Sequence, residues 1–366
     1  MTTHRINSRL YQVATALFVL FGHNLYGQTQ PFTLSGSVRD SATGMPIPAV
    51  SVFLNGTSKG TTTHDDGTFL LTGIQPGGYQ LVISAIGYTT FQTDINTRQL
   101  ASILNVILQT RAVELAADTV EPGDINGWRK WGRLFWNIFI GTTHNASYCT
   151  IENKDVLRFH YNPKSRKVTV SAVEPLIIVN EALGYTIEYR LESFSYDLSR
   201  DAFAFYGHPF FRELTPRDSE QKQDWEYNRR LAYLGSILHF MRSLYKGRLR
   251  EEGFIVAHEV RSPNRKKHIK TVYSYDSLVT INPDQSRSFS FIGDFTIIYS
   301  NTDIGISTGR SVLELLSPVP IRIDENGSYF PLLSLFIQGR WAKTQTVGNI
   351  VPIDYTPPSS DPSPIH

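Results

Sequence analysis

"GTTTHDDGTFLL", residues 60–71, sets one histidine and two aspartates in a row between a threonine-rich segment and an apolar one. As chemistry it is a candidate metal or acid–base cluster. As structure it is a tight turn. Metal sites need ligands that converge from several elements, and three neighbours on one turn do not converge. Gly67 supplies the positive φ of a tight hairpin, and aspartate side chains bond their own backbone in such turns. The stretch therefore reads as two strands and a turn, and the residues around it as scaffold.

The same alternation extends in both directions. Leu34, Gly36 and Val38 share a face, as do Val50, Val52 and Leu54. Phe69 with Leu71, Tyr79 with Leu81 and Ile83, and Leu104 with Val106 and Leu108 repeat the pattern. Period two means half-buried strands. Turn chemistry breaks the series at Asp40–Gly44, Asn55-Gly56, Asp65–Gly67, Pro76–Gly78 and Gly87. Short strands at this spacing predict a β-sandwich over residues 32–110.

Particular residues carry a resemblance. They are Gly36, Val38 and Asp40 at the opening, Pro46–Val50, Gly60–Thr63, Gly67-Thr68-Phe69, Pro76–Tyr79 and Ile86-Gly87-Tyr88. This combination resembles the carboxypeptidase-regulatory-like domain, a seven-stranded, transthyretin-like sandwich. The resemblance spans nearly all of 32–110 and implies an accessory module rather than a catalyst. Such sandwiches accompany metallocarboxypeptidases and the N-termini of many TonB-dependent outer-membrane receptors. The family often has Asp where His64 stands, a departure that removes a turn-capping acid and weakens any calcium role. The long series of amphipathic strands that builds a receptor barrel does not follow, so a receptor is not expected.

Before the sandwich, Arg5 and Arg9 precede the apolar run Val13–Phe21, which is shorter than the roughly 20 residues of a spanning helix. With Tyr26-Gly27 closing it, residues 1–27 read as a secretory signal. No cysteine follows to carry a lipid, and no later stretch reads as a membrane helix. The expected location is therefore the periplasm or the outer membrane. The single cysteine, Cys149, excludes an internal disulfide. Gln28–Ile125 holds 4 Lys/Arg and 8 Asp/Glu, while Asn126 onward holds 29 and 25. The biases cancel, which argues against nucleic-acid binding by bulk charge.

A linker is expected over 111–127 and a β-rich second domain, α+β in class, over 128–355. The tail, 356–366, is proline- and serine-rich, which predicts disorder. Trp128, Trp131, Phe135 and Ile138 recur at helical spacing within Gly127–Gly141, offset by Arg129, Lys130 and Arg133. Such a stretch can lie on a membrane surface. Trp136, Phe139 and Ile140 widen the apolar face and favour docking on the following sheet, with peripheral membrane contact left open. Residues 150–215 alternate as strands, with hairpin turns at Pro163–Arg166 and Leu198–Asp201. From Trp225 to Arg250 the period changes. Leu231, Leu234, Leu238, Met241, Tyr245 and Leu249 predict one long helix, with Arg229, Arg230, Arg242, Lys246 and Arg248 on its other side and Gly253 at its end. The overall expectation is a mainly β protein, a seven-stranded sandwich followed by a β-rich domain with one long and one shorter helix. The stretches "FIGTTHNASYCTI", "PLIIVNEALGYTIEYRLESF", "NRRLAYLGSILHFMRSLY" and "VPIDYTPP" resemble a group of bacterial envelope proteins that join the same sandwich to a second β-rich domain. That resemblance implies no activity.

Catalytic motifs fail on inspection. His258-Glu259 opens like a zinc-protease helix, but Ser262 stands where the second histidine belongs, and the segment reads as a strand. "YLGSILH" lacks the second glycine of a nucleophile elbow. No Walker or dinucleotide glycine pattern occurs. Cys149 lies near His144, but a buried inert thiol is the commoner state. No spacing ties two carboxylates together for glycoside hydrolysis. No catalytic, metal or cofactor residue is therefore expected. The sharpest cationic cluster is Arg261, Arg265, Lys266, Lys267 and Lys270 on a hairpin marked by Pro263-Asn264, either a solvated loop or a contact for an anionic partner. The expected function is a non-catalytic envelope protein that binds a protein or glycan. The alternative is a hydrolase of peptides or glycans with its site at the domain junction.

Overall fold

Seven strands form two facing sheets: β1 (Phe32–Asp40), β2 (Ser51–Leu54), β3 (Gly60–Thr62), β4 (Thr68–Ile74), β5 (Gly78–Ser84), β6 (Phe91–Asn96) and β7 (Ile103–Leu108). One sheet has the order β4-β1-β7 and the other β3-β2-β5-β6. β1 pairs antiparallel with β4 and parallel with β7. Leu34, Val38, Val52, Leu54, Phe69, Leu71, Leu81, Ile83 and Val106 close the core between the sheets. Gly36 has no room for a side chain, because the Phe69 ring and the Leu104 carbonyl occupy that space. The computed structural model describes residues 31–99, 103–110, 127–261, 267–271, 278–291, 293–301, 306–307 and 309–358. The signal assigned to 1–27, and nearly all of the linker, lie outside the described residues.

The opening stretch is a turn. The Gly67 amide donates to the His64 carbonyl (2.9 Å) and the His64 amide to the Thr68 carbonyl (2.8 Å), with Gly67 at φ 76°. Asp66 accepts from the hydroxyl and the amide of Thr68, and those bonds hold its carboxyl below the usual range. Among the described residues no three His, Cys, Asp or Glu side chains gather as a metal site.

The second part begins with α1 (Gly127–Phe139), followed by β8 (Cys149–Ile151), β9 (Leu157–Asn162), β10 (Lys167–Ala172), β11 (Leu176–Asn180), β12 (Tyr185–Asp197) and β13 (Ala202–Glu213). These strands form one sheet, ordered β8-β11-β12-β10-β9, with β13 along β12. The apolar side of α1 docks on it. Phe135 meets Phe159 and Phe194, and Phe139 meets Tyr189 and Phe205 at 4.8 and 5.4 Å between centroids. Positive φ at Arg166 and Asp201 marks the two expected hairpin turns.

The single long helix expected over Trp225–Arg250 is instead two, α2 (Ser219–Tyr233) and α3 (Ile237–Lys246). Gly235 at φ +71° breaks it, lying so close to the Tyr299 ring that a side chain would collide. The Ser236 hydroxyl then caps α3 by accepting from the His239 amide. The helix stops at Gly247, in the left-handed region, rather than at Gly253, with the Arg248 amide on the Ser243 carbonyl. The break shifts the phase. Leu231 is exposed, and Arg229, expected on the polar side, is buried. "YLGSILH" is this junction and not the interior of a helix.

Two further sheets follow. One joins Lys267–Thr271, Phe254–Arg261, Phe295–Asn301, Ser311–Leu315 and Leu335–Gly339 in that order. The other joins Val279–Ile281, Arg287–Phe289, Ile321–Ile323 and Tyr329–Phe330. α3 packs between them through Phe240, Met241 and Leu244 against Phe289, Phe295 and Leu313. A short helix, α4 (Arg340–Thr344), places Trp341 in the same core.

The sandwich is held to the rest along its four-stranded sheet. Phe53, Val82 and Phe210 form a small core of their own. Gly60 clears the way for the Phe210 ring, which would lie 2.6 Å from an added Cβ. The Gly56 amide donates to the Pro209 carbonyl (2.8 Å), and the Phe211 amide to the Thr57 carbonyl (3.0 Å). Near the chain end, the Ile353 amide reaches the Gly56 carbonyl (2.7 Å), and Asp354 accepts from the amide and hydroxyl of Ser58. Arg242, expected on the polar side of the long helix, points into this joint and donates to the carbonyls of Asn326, Ile353 and Tyr355. Of the tail, residues 356–358 are described and 359–366 lie outside the described residues.

Candidate functional site

One face of α2 builds a cleft. Trp225, Asn228 and Arg229 stand three and four residues apart, and so on one side of a helix. They bind four successive carbonyls of the β11–β12 turn. Trp225 Nε1 donates to Glu181 (2.7 Å), Asn228 Nδ2 to Ala182 (3.0 Å), and Arg229 to Leu183 (2.7 Å) and Gly184 (3.1 Å). Gly184 sits at φ +65° against the Trp225 ring, where any side chain would collide. The Arg229 guanidinium also covers the Tyr185 ring at 4.0 Å, so burial of this cation is matched by carbonyls and a π-face.

The start of α2 is fixed by Asp218, which accepts from the Gln221 amide (2.8 Å), while Gln221 accepts from the Arg217 amide (3.0 Å). Across the cleft, a short 3₁₀ turn at Asn145–Tyr148 is tied to β11 by the Glu181 amide on the Tyr148 carbonyl (3.1 Å). Its His144 and Tyr148 rings meet edge-on at 5.1 Å.

The resulting cleft has a volume of about 430 Å³ and is lined by His144, Tyr148, Glu181, Ala182, Arg217, Gln221, Asp224, Trp225 and Asn228. Tyr148 keeps half its surface in water. The walls are thus aromatic on one side, and carboxylate, guanidinium and amide on the other. This set can hydrogen-bond hydroxyl groups from several directions while a ring covers an apolar face. It contains no serine, threonine, cysteine or lysine. Glu181 and Asp224 are exposed to water, whereas a catalytic carboxylic acid needs burial to hold its proton near neutral pH. Cys149 lies just behind the wall but is buried, its Sγ directed at the Asn145 carbonyl 3.6 Å away. Burial pushes that thiol up to about 12, so it stays protonated and is no nucleophile. His144 contacts Tyr148 rather than the thiol.

The cationic residues singled out in the sequence lie elsewhere. Phe254–Arg261 and Lys267–Thr271 pair antiparallel, with Arg261 opposite Lys267 and His258 opposite Lys270. Arg261, Lys267 and Lys270 are thus on the arms of the expected hairpin, and Arg265 and Lys266 lie outside the described residues. His258-Glu259 is in a strand, which bars a zinc-protease helix. Reading the sequence missed the cleft, because its residues come from three separated segments. The traceable signal is the Trp225, Asn228, Arg229 spacing beside the Ala182-Leu183-Gly184 turn.

Residues 34–120 match the CarboxypepD_reg-like domain family, in agreement with the seven strands and their turns. Two curated relatives are TonB-dependent receptors of Formosa agariphila. One is 27% identical over 130 residues, 35% of this chain and 13% of the receptor. The other is 35% identical over 95 residues, 25% of this chain and 9% of the receptor. The chain therefore spans a small part of the length of these receptors. Among solved structures, a type II cohesin–X-dockerin complex from Acetivibrio cellulolyticus aligns at 22% identity with a TM-score of 0.18, covering 26% of this chain and 66% of that one. A score that low carries no argument about fold or function. No helix among the described residues is long and apolar enough to cross a membrane.

Proposed function

We propose that this is an exported, non-catalytic envelope protein, periplasmic or associated with the outer membrane. Its sandwich, residues 32–110, serves as an accessory module, and its β-rich part, residues 128–355, binds a glycan in the cleft between α2 and the Asn145–Tyr148 turn. The observation that carries this reading is the lining itself, exposed aromatic rings opposite convergent carboxylate, guanidinium and amide groups with no nucleophile among them. A protein partner at the same cleft is the second reading, favoured by the exposed Tyr148 ring alone. Arg261, Arg265, Lys266, Lys267 and Lys270 are proposed as an additional contact if the ligand is anionic.

The test is calorimetric titration of the full chain with envelope oligosaccharides, with product analysis of the same mixtures. Tyr148→Ala should weaken binding at least tenfold, a loss of about 1.4 kcal/mol, with the melting temperature unchanged. Charge reversal at Lys266 and Lys267 should weaken only anionic ligands, and more so at low salt. Cleavage of the oligosaccharide would establish the hydrolase alternative. Binding indifferent to Tyr148→Ala would remove the cleft from the account.

A further inference from the structure

The segment 127–167 is charged out of proportion to the rest of the chain. It holds eight Lys/Arg and two acids, Glu152 and Asp155, whereas the whole protein carries a net charge of only +2. Three of the cations, Arg129, Lys130 and Arg133, are exposed and lie in the first half of α1. Arg129 and Lys130 fall in the first turn, the wrong end of a helix for positive charge, because the free amides there already carry partial positive charge. The first turn holds no acid to offset them. Among the described residues none of the three forms an ion pair with a carboxylate. Cations set at a helix start with no carboxylate to offset them are expected where function requires it.

Aromatic residues lie among these charges. Lys130 Nζ stands 5.0 Å from the Trp131 ring and 5.5 Å from the Tyr161 ring, and those rings are 5.3 Å apart. Lys154 Nζ stands 5.9 Å from the Trp128 ring. Trp131, Trp136 and Tyr161 are all half-buried at the edge of the core beneath α1. Lys164, also exposed, is on the turn just beyond Tyr161. Cations around half-exposed tryptophan and tyrosine match the chemistry of a lipid headgroup layer, with phosphates outside and an apolar boundary beneath. A soluble polyanion needs the cations but not the aromatic tips. The apolar side of α1 is already occupied by the sheet, so the helix can rest on a surface but not sink into it.

We infer that the outward face of α1, with Lys154 and Lys164 beside it, docks the protein on an anionic lipid surface. The test is co-sedimentation of the full chain with phosphatidylglycerol-containing vesicles and with pure phosphatidylcholine vesicles. The chain should bind the former and not the latter, and release as salt rises from about 0.05 to 0.5 M, where the screening length shrinks to a few ångströms. The triple variant R129Q/K130Q/R133Q should lower the partition constant by roughly two orders of magnitude, each cation contributing about fivefold near an anionic surface. Its circular dichroism should match the parent, because all three side chains are exposed. The inference is overturned by equal binding to both vesicle types, or by unchanged binding of the triple variant. Retention by a soluble polyanion without vesicle binding overturns it too, as does a loss that follows K266Q/K267Q instead.

Discussion

The outer faces of the two sandwich sheets differ. On β4-β1-β7, Leu70, Ile103 and Ile107 are each more than half exposed. On β3-β2-β5-β6, Phe53 and Val82 are buried against Phe210 of β13. Both faces carry apolar side chains at alternate positions, so hydrophobicity does not separate them. Glycine and backbone bonding do. Gly60 leaves room for the Phe210 ring, and Gly78 lies against Asp324, where a side chain would collide. The Gly78 carbonyl accepts from Asn326 Nδ2 (2.8 Å) and from the Ser328 hydroxyl (2.6 Å). A sheet face becomes a joint where a partner can approach closely and the rim carbonyls find donors.

The sharpest way to break this comparison is to truncate the ring that packs on the buried face and one residue of the exposed face. Phe210→Ala should cost about 3–5 kcal/mol, as other buried Phe truncations do, while Ile107→Ser should stay within about 0.5 kcal/mol. Urea unfolding of both variants decides it, and equal losses would show that the buried face is not the stronger joint.

The joint also predicts acid sensitivity. His208, next to Phe210 on β13, is buried, and neither of its ring nitrogens has a hydrogen-bond partner. Burial first, and Arg190 second, push it down from 6.5 to about 4, although Glu192 lies 3.7 Å from Nε2. The folded state therefore resists protonation and the unfolded state does not. Its stabilising contribution is complete above about pH 6.5 and is lost as pH falls towards about 4, by roughly 3 kcal/mol at most. Melting curves across that window should fall for the parent and more shallowly for His208→Gln. His239 is also pushed down by burial, against its contact with Glu252, so part of the slope will remain. A flat profile in the parent would sink the assignment. The smallest effect belongs to the opening turn. His64→Asp should change the melting temperature by no more than a surface substitution does, about 0.5 kcal/mol, and a stoichiometric metal bound at that loop would contradict it.

The sandwich was legible in the sequence because its information is local. Period-two alternation assigns each side chain to a face, and Gly67, Gly77 and Gly87 mark turns that only glycine enters easily. The docking of α1 was legible for the same reason, since its apolar face is wider than one stripe. The site was not. Its lining comes from residues 144–148, 181–182 and 217–228, whose approach depends on α2 capturing the carbonyls of a distant turn. The helix break at Gly235 was hidden too, because leucines at three and four continue through it, and only the Tyr299 ring shows why the chain must bend there. Sequence alone determined the class, the sandwich and its turns, through backbone sterics and the period of apolar residues. Tertiary structure alone decided that Arg229 and Arg242 turn inward, that Phe53 and Val82 face a partner, and where the cleft opens. Those outcomes depend on carbonyls and space offered by segments far along the chain, which no local pattern encodes.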